Sequence, residues 1–520
     1  MSQHYDLLII GAGVGGSAVA LALAPTGKRI AVLDRGHAIP RERENWDADR
    51  VFGPEQRYCT DERWTDGQTG EGFQASMYYG PGGNTKVYGS ALLRLRERDF
   101  TETRHLEGVA PAWPIAYADL APYYDEAERL YFVHGTRGSD PFEPAASGPF
   151  PHPAIRHDDR IAAVAAGLRE HGLQPMDLPM GVKMTEDAPG DGPFVLREMY
   201  AQFGRDAFDG FPDPFHLKAD AEVATLKPAA AYDNVDVITG CRVRRLDADG
   251  RTVTGVDCEM DDGERVRFTA DLVVLSAGAI NSAALLLASA QPGHENGLAN
   301  ASGRVGRHFM RHVTSKFYTV DFQHENRTTF QKTLALNDYY FGAPGDAGFE
   351  DVPLGHVHLM GKHTGPMIRR DLGPDHMTED EAARLARHSV DWWVQGEDLP
   401  LFDNRVDLGP DGGIRLHYTP TGLAAHARLM DHLQARLEAM GFSEFHRVPM
   451  PLRVVNHQCG TCRMGMDPAE SVLDTACKAH DLDNLYVVDG SFFPSSGATN
   501  PTLTIAANAL RVADRLRDRM

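Results

Sequence analysis

The chain has 520 residues, 42% of them hydrophobic and 24% charged, which is enough length and apolar content to bury a large globular core. Asp and Glu outnumber Lys and Arg by 73 to 52, and the net charge is −21. An acidic surface of this size repels nucleic acids and anionic membranes, so we expect neither as a partner. Six cysteines are too few for a disulfide scaffold, and the composition excludes collagen-like and disordered chains.

The longest uncharged apolar stretch, residues 272–290, is just long enough for a membrane span. It contains Ser276, Gly278 and Asn281, which a lipid-facing helix rarely carries together, and we predict a buried strand, a turn and a helix instead. The N-terminus has no basic segment of the kind that opens a secretory signal. We therefore expect no membrane span and a reducing, cytoplasmic location with free thiols.

The first glycine-rich segment is the most informative part of the chain. Leu7–Ile10 is an apolar run typical of a strand buried on both faces, and Gly11, Gly13 and Gly16 separate it from the helical run Ala18–Ala24. Gly11 permits a tight turn, Gly13 lets the backbone approach a pyrophosphate, and Gly16 lets the helix pack closely on the strand. The helix N-terminus then offers free N–H groups to the phosphates.

A second predicted strand, Arg29–Leu33, ends at an acidic residue. Asp34 lies 23 residues after Gly11, where a carboxylate can accept hydrogen bonds from the adenosine ribose hydroxyls. The combined pattern favours a dinucleotide-binding site over an ordinary glycine-rich turn. It does not choose between FAD and NAD.

The middle of the chain has weaker patterns. A helix is predicted around Tyr123–Leu130, with Asp119 as a possible cap. Residues 235–278 are predicted to form strands with a hairpin turn at residues 249–250. Residues 421–440 are predicted to form a helix. Arg94 and Arg96 are interpreted as part of a solvated face.

The C-terminal part contains two further motifs, VVNHQCGTCRMGMDP and NLYVVDGSFFPSSGATNPTLTIAANALRVADRL. Together with the N-terminal motif and the loop GGNTKVYG, they resemble the glucose–methanol–choline (GMC) oxidoreductase family. Within it, the chain is most similar to the bacterial, pyranose-oxidase-like branch that acts on sugars and glycosides.

The resemblance implies an α/β protein with a discontinuous, Rossmann-like FAD-binding domain and an interleaved α+β substrate domain built on an antiparallel sheet. The expected boundaries are residues 1–100, 216–310 and 455–520 for the FAD-binding domain, and residues 101–215 and 311–454 for the substrate-binding domain.

The resemblance also implies a catalytic pair. His457 occupies the position of the family's catalytic histidine, and Asn500 matches the second residue of the His–Asn pair that flanks the substrate hydroxyl. Histidine suits a general base because its ordinary pKa of ~6.5 lies near working pH. Two alternatives remain: His457 as a structural histidine, and Asn500 as the N-cap of the helix Leu503–Leu516. On the catalytic interpretation, Thr499 or water would satisfy the helix end.

Further positions are expected to contact FAD. The helix that begins after Asn500 should point its N-terminus at the flavin N1–C2=O edge, where its dipole favours the negative charge that develops on reduction. The cofactor contacts implied by the family are Gly83, Asn84 and Thr85 of the second glycine loop, Val243 and Ala277 on the adenosine side, Asp489 and Gly490 on the phosphate or ribitol side, and Pro501 and Thr502 at the helix start.

Two departures from the family pattern concern the flavin. Pyranose oxidases carry a histidine in the second glycine loop that anchors FAD covalently, whereas Val87 stands there in this chain. We therefore predict non-covalent FAD. Tyr88 falls where an asparagine is common elsewhere in the family.

The cysteines near the C-terminus allow three interpretations. Cys459, Cys462, Cys477 and His480 have the spacing of a zinc site, and Cys459–Cys462 has that of a redox-active dithiol. Cys459 and Cys462 closely follow the expected catalytic histidine, where the family has a tight turn, and Cys477 and His480 precede the predicted strand Leu485–Val488. We therefore interpret these cysteines as packing residues and predict no metal. The remaining histidines, including His308 and His312, are interpreted as structural or surface residues.

The sequence thus predicts an FAD-dependent oxidoreductase that oxidises an alcohol, a secondary hydroxyl of a sugar or glycoside, to a ketone by hydride transfer to flavin N5. O2, a quinone-like acceptor or a partner protein would then take the electrons. The acidic charge favours a neutral polyol over an anionic substrate. Three alternatives remain: an FAD-containing lyase of the same fold, a dehydrogenase acting on a non-sugar alcohol with a protein or quinone acceptor, and a non-catalytic flavin-binding protein. No pattern indicates an oligomeric state.

Overall fold

The computed structural model describes residues 3–184, 208–213 and 215–520. Its α-helices are α1 Val14–Leu23, α2 Ala48–Phe52, α3 Tyr117–Leu130, α4 Asp159–Glu170, α5 Lys227–Ala230, α6 Ala279–Ala288, α7 Gly365–Leu372, α8 Glu379–His388, α9 Leu423–Ala439 and α10 Thr502–Arg517. Its strands are β1 Gln3–Ile10, β2 Ile30–Leu33, β3 Arg63–Asp66, β4 Gly72–Gln74, β5 Thr103–Arg104, β6 Val109–Ala110, β7 Val133–His134, β8 Met176–Asp177, β9 Met180–Gly181, β10 Val235–Ile238, β11 Cys241–Asp249, β12 Thr252–Met260, β13 Arg265–Leu275, β14 Val313–Val320, β15 Leu334–Leu336, β16 His356–Leu359, β17 Ser389–Gly396, β18 Arg405–Leu408, β19 Ile414–His417, β20 Glu444–Pro449 and β21 Leu485–Val487.

The first sheet is the Rossmann-like one. Its strands run in the order β10–β2–β1–β13–β12–β11, and β21 pairs with the C-terminal half of β13. β10, β2, β1, β13 and β21 are parallel, whereas β11 and β12 are antiparallel. In β1, Leu7–Ile10 pairs with β2 on one side and β13 on the other, and all four side chains are buried. The predicted two-sided burial of this strand is confirmed.

The second sheet is antiparallel and runs in the order β20–β14–β17–β16–β15–β8. Side chains alternate between its faces. One face packs Phe317, Trp392 and Val394 against helices α4 and α9 in a buried apolar cluster. The other face carries polar side chains such as Lys316 and Gln395. The expected combination of a Rossmann-like sheet with an α+β unit on an antiparallel sheet is confirmed.

The domain boundaries stay a prediction. The two large sheets draw on the expected segments, since the Rossmann-like sheet uses residues 3–33, 235–275 and 485–487. A four-stranded sheet, however, pairs β3 with β19 and so joins residues 63–74 to residues 405–417 across the expected division.

Two local expectations were wrong. Helix α3 begins at Tyr117, and Asp119 lies in its first turn, where its carboxylate accepts the N–H of Ala116 at 2.8 Å instead of capping a later helix. Arg94 and Arg96 are buried, because Glu128 and Asp140 respectively compensate their charges inside the protein.

The stretch at residues 272–290 forms the end of β13, a turn at Gly278 and helix α6, as expected. Within the described ranges, no helix is both long and apolar enough to cross a bilayer.

Candidate active site

A cavity of about 840 Å³ lies between the carboxyl ends of the parallel strands and the polar face of the antiparallel sheet. This edge of an open α/β sheet is where ligands bind, and the volume is that of a cofactor pocket. The residues predicted from the sequence that line it are Gly11, Gly13, Asp34, Gly83, Asn84, Thr85, Val243, Ala277, His457, Asp489, Gly490, Asn500, Pro501 and Thr502. Gly16 does not line it, because it packs helix α1 on β1.

The glycines at the start of α1 fit a bound pyrophosphate. Gly11 has φ +104°, and a Cβ there would lie 2.2 Å from the carbonyl oxygen of Ser276. A Cβ on Gly13 would meet nothing within 4 Å, so this glycine leaves open space at the cavity wall. No side chain caps the helix at Gly13, and its first N–H groups are available to an anion.

Asp34 lies at the end of β2 and is buried. Its carboxylate accepts the N–H groups of Ala12 at 2.9 Å and Gly36 at 3.0 Å, and it therefore fixes the glycine turn. Burial raises the pKa of this carboxyl above its ordinary value. Each carboxylate oxygen still has a lone pair for a ribose hydroxyl.

The second glycine loop presents its backbone to the cavity. The side chain of Asn84 accepts the N–H of Tyr78 at 2.9 Å, and Thr85 Oγ1 donates to the Gly82 carbonyl at 2.5 Å and accepts the N–H of Ala221 at 2.9 Å. These contacts hold the loop in place.

Asp489 connects its own turn to the start of helix α6 beside the cavity. Its carboxylate accepts hydrogen bonds from Gly278 N at 3.0 Å, Ser282 Oγ at 2.5 Å and Ser491 N at 2.9 Å, as well as from the Ser491 hydroxyl. Four accepted hydrogen bonds occupy both oxygens. Any contact of this turn with a cofactor therefore comes from the backbone of Asp489 and Gly490.

His457 and Asn500 are neighbours on the cavity wall. Nε2 of His457 lies 3.2 Å from Nδ2 of Asn500. Helix α10 begins after Pro501 with no side-chain cap, so Asn500 does not cap it. Thr499 does not cap it either, since its buried hydroxyl has no hydrogen-bond partner in the described structure. Pro501 and Thr502 line the cavity, and the uncapped N–H groups of this helix start, from Thr502 onward, suit negative charge there.

The backbone and surroundings of His457 are unusual. Its φ is +53°, in the left-handed region that a side chain rarely adopts and that recurs at functional sites. Burial, followed by the effect of the neighbouring His312, lowers the pKa of His457 well below its ordinary value. The imidazole is therefore neutral near physiological pH, which is the form that accepts a proton.

Sequence reasoning missed two residues that contact this pair. His312 Nδ1 lies 2.8 Å from His457 Nδ1, and Gln395 Nε2 lies 3.4 Å from Oδ1 of Asn500. His312 follows an ordinary loop and Gln395 lies within an alternating strand, so no spacing signal identified either one.

The polar face of the antiparallel sheet forms the far wall of the cavity. Lys316 pairs with Asp371 at 2.6 Å and Lys332 pairs with Asp209 at 2.7 Å, so positive and negative charges balance. Burial lowers the pKa of His358 to about 3, which keeps it uncharged. These two pairs and His358 offer hydrogen-bonding groups with little net charge, and Arg370 adds a positive charge beside them.

The cysteine cluster lies in the core. Cys459, Cys462 and Cys477 are buried free thiols, and burial raises the pKa of each. His480 Nε2 is 3.0 Å from Ser471 Oγ. In the part of the chain that the structure describes, no three His, Cys, Asp or Glu side chains are grouped to hold a metal ion. Raised thiol pKa values are the opposite of those in redox or metal sites, and they support the packing interpretation.

Comparisons with known proteins give a consistent answer. A family model described as GMC oxidoreductase matches residues 5–314, and a second with the same description matches residues 434–509. The 2-methyl-1,2-propanediol dehydrogenase of Mycolicibacterium austroafricanum is 29% identical over 100% of this chain and 96% of its own length. Paromamine 6'-oxidase of Streptomyces fradiae is 29% identical, with coverage of 98% and 90%.

The fold has a counterpart among solved structures. The crystal structure of pyridoxine 4-oxidase from Mesorbium loti matches with a TM-score of 0.65 and 19% identity, and covers 98% of this chain and 99% of that chain. None of the proteins named here is a pyranose oxidase, and the finer branch assignment stays a prediction. Since the two family models together match most of its length, the chain belongs to the GMC oxidoreductase family, whose members act on CH–OH donors and normally bind FAD.

Proposed function

We propose that this enzyme uses non-covalent FAD to oxidise a hydroxyl of a neutral polyol, with a secondary hydroxyl of a sugar or glycoside as the leading substrate. The observation that carries the proposal is the His457–Asn500 pair, 3.2 Å apart on the wall of a cofactor-sized cavity. The uncapped helix ends, the open space at Gly13 and the ribose-accessible Asp34 carboxylate fit FAD. When bound, FAD supplies the hydride acceptor.

The chain's own residues handle the proton. A substrate hydroxyl that replaces the direct contact between the two side chains donates to Nε2 of His457 and accepts from Nδ2 of Asn500. His457 removes the hydroxyl proton as the carbinol hydride leaves, and Asn500 holds the oxygen without competing for that proton. The alkoxide character that develops on the oxygen is stabilised by the same amide donor.

The substrate class follows from the far wall. The Lys316–Asp371 and Lys332–Asp209 pairs balance in charge, so these four side chains give a strongly charged substrate no compensating partner. Hydroxyl groups, which both donate and accept, can bind such a surface. We include a reducing, cytoplasmic location in the proposal, since all six cysteines are free thiols.

A primary alcohol is the second candidate substrate. In 2-methyl-1,2-propanediol the hydroxyl on carbon 2 is tertiary, so the dehydrogenase that is 29% identical can act only on the primary one. This favours, as the alternative, a dehydrogenase that converts a non-sugar alcohol to an aldehyde with a quinone or protein acceptor.

Anaerobic mixing with a panel of sugars, glycosides, secondary alcohols and diols tests the proposal. We expect polyols to bleach the flavin absorbance of the wild type, and His457→Ala to retain FAD but to bleach at least ~100-fold more slowly. Near-normal bleaching by the variant contradicts the role of His457. If no alcohol bleaches the wild type, the oxidoreductase assignment to alcohols fails and the lyase alternative gains support. Re-oxidation with O2 and with quinones then separates oxidase from dehydrogenase.

A further inference from the structure

His457 is connected to the protein interior on the side away from the cavity. Its Nδ1 lies 2.8 Å from Nδ1 of His312, and Nε2 of His312 lies 3.0 Å from the carbonyl oxygen of Gly497. His312 is only 1% exposed and does not line the cavity. It therefore does not touch a molecule in the cavity and can act on the reaction only through His457 and the loop that carries Gly497.

The proton positions in this series of hydrogen bonds follow from the Gly497 carbonyl at its end. A carbonyl oxygen can only accept, so His312 must carry its proton on Nε2 and donate it to Gly497. In a neutral His312 the other nitrogen, Nδ1, is then an acceptor. The 2.8 Å contact requires His457 to carry its own proton on Nδ1. Nε2 of His457 is left with its lone pair, which points toward Nδ2 of Asn500 on the cavity wall.

A second series of hydrogen bonds reaches His457 from the opposite side and predicts the same tautomer. The indole N–H of Trp393 can only donate, and it lies 2.9 Å from Oε1 of Gln395. The amide nitrogen of Gln395 must then face the Ala498 carbonyl at 2.7 Å and Oδ1 of Asn500 at 3.4 Å. The NH₂ group of Asn500 consequently faces Nε2 of His457, which must accept. Two groups with fixed roles, one carbonyl and one indole, thus specify one tautomer.

We propose that His312 is a positioning residue that holds His457 in the Nδ1–H tautomer. The Nε2 lone pair then accepts from Asn500 Nδ2 and, once substrate replaces that contact, from the substrate hydroxyl. The expected effect of His312 on the reaction rate rests on the proposed function, whereas the tautomer of His457 can be measured without turnover. When His457 takes the substrate proton, the bond from its Nδ1–H to His312 also stabilises the imidazolium. Because Gly497 lies in the loop that carries Asn500, the hydrogen bond from His312 to Gly497 also fixes the position of Asn500 relative to His457.

The mechanism requires His312 to stay neutral. Burial lowers its pKa to about 4, so it remains an acceptor at physiological pH. The charged or titratable groups near the two histidines are Glu397 and Arg311 toward His312, and His358, Lys332 and Arg311 toward His457.

Substitutions at His312 separate positioning from packing. In His312→Asn the side-chain oxygen can occupy the place of Nδ1 and accept from His457, whereas His312→Phe keeps the ring volume and removes both nitrogens. We expect His312→Phe to slow anaerobic flavin reduction at least ~10-fold, the lower range for loss of an outer hydrogen-bond partner, with KM and FAD content little changed. A wrong histidine tautomer costs up to ~10⁴-fold elsewhere. We expect His312→Asn to recover most of the rate.

His308 provides the matched control. It is buried on the same segment and its Nδ1 lies 2.9 Å from the Pro400 carbonyl, but it does not touch His457. Its φ of +60° is one that asparagine tolerates. We expect His308→Asn to change thermal stability without changing the rate of flavin reduction. Equal rates in His312→Phe and the wild type, or equal losses in His312→Phe and His312→Asn, overturn the proposal.

A direct reading of the tautomer does not depend on turnover. With ¹⁵N-histidine label, the ¹⁵N shifts and ¹H couplings of His457 show which ring nitrogen carries the proton, and His457→Ala assigns the signals. We expect a protonated Nδ1 and a bare Nε2 in the FAD-loaded wild type, and a mixture of tautomers in His312→Phe. A proton on Nε2 in the wild type overturns the proposal even if alcohols bleach the flavin. If no alcohol bleaches it, the proposed function fails while this measurement still decides the tautomer.

Discussion

The amide nitrogen of Gln395 lies 3.4 Å from the side-chain oxygen of Asn500, and this contact orients an amide that could otherwise rotate. Gln395 also donates to the Ala498 carbonyl at 2.7 Å, two residues earlier in the same loop. Strand β17 of the antiparallel sheet therefore positions Asn500, the member of the proposed catalytic pair that lies just before helix α10. This contact links the antiparallel sheet to the segment that leads into helix α10.

Gln395→Leu should remove that orientation and leave the cofactor site intact. We expect FAD content to be unchanged and the rate of anaerobic flavin reduction to fall roughly 10-fold, as for loss of an outer hydrogen bond. Gln331→Leu is the control, because Gln331 is a buried glutamine that donates to the Met360 carbonyl at 3.0 Å and does not touch Asn500. A similar loss of rate in both variants would point to general destabilisation.

Gly13 and Gly16 should respond oppositely to a methyl group. A Cβ on Gly16 would lie 2.1 Å from the Gly11 carbonyl oxygen, whereas one on Gly13 meets nothing within 4 Å. We expect Gly16→Ala to lower the melting temperature of the FAD-free protein, and Gly13→Ala to keep that melting temperature but weaken FAD binding. Thermal unfolding of the apoprotein and FAD fluorescence titration measure the two effects. Unaltered FAD affinity in Gly13→Ala would remove this glycine from the cofactor site.

Local motifs were predictable because local geometry determines them. The apolar run Leu7–Ile10 must be a buried strand, and Gly11 must be glycine where φ is +104° and a carbonyl lies against its α-carbon. The family resemblance then supplied the distant pair His457 and Asn500, which no spacing could have joined.

The remaining features depend on contacts between distant parts of the chain. His312 was interpreted as a structural or surface residue, and only the packing of β14 beside the His457 loop brings the two imidazoles together. Arg94 looked exposed because its partner Glu128 lies on a helix 34 residues away. Helix α3 was predicted too short, since Pro122 lies inside it and interrupts the pattern typical of a helix start.

The pH dependence of catalysis should reflect the lowered pKa of His457. Burial holds this pKa well below ~6.5, so the neutral imidazole that accepts the proton persists as the pH falls through that value. We expect the rate of flavin reduction to stay level from about pH 8 to about pH 6.5 and to fall only at lower pH. Stopped-flow reduction with a neutral substrate measures it, with FAD content checked at each pH. An acid limb at or above ~6.5 would contradict this expectation.

The cysteines should behave as inert core residues. Cys59 is partly exposed, whereas Cys241, Cys258, Cys459, Cys462 and Cys477 are buried. We expect a thiol reagent to label Cys59 at most in the native protein and all six thiols after unfolding, since burial keeps the reagent away from the other five. Elemental analysis should find no stoichiometric zinc. About one zinc per chain would restore the metal interpretation of Cys459, Cys462, Cys477 and His480.

FAD should leave the protein on denaturation. Val87 occupies the loop position at which pyranose oxidases carry the anchoring histidine, and the histidines that line the cavity in the described residues, His358, His363 and His457, belong to other elements. We expect acid precipitation to release the yellow colour into the supernatant. Free FAD should then raise the melting temperature of the apoprotein in a concentration-dependent way, because a ligand that binds only the folded state stabilises it by mass action. Colour retained in the precipitate, with a melting temperature insensitive to added FAD, would show a covalent flavin.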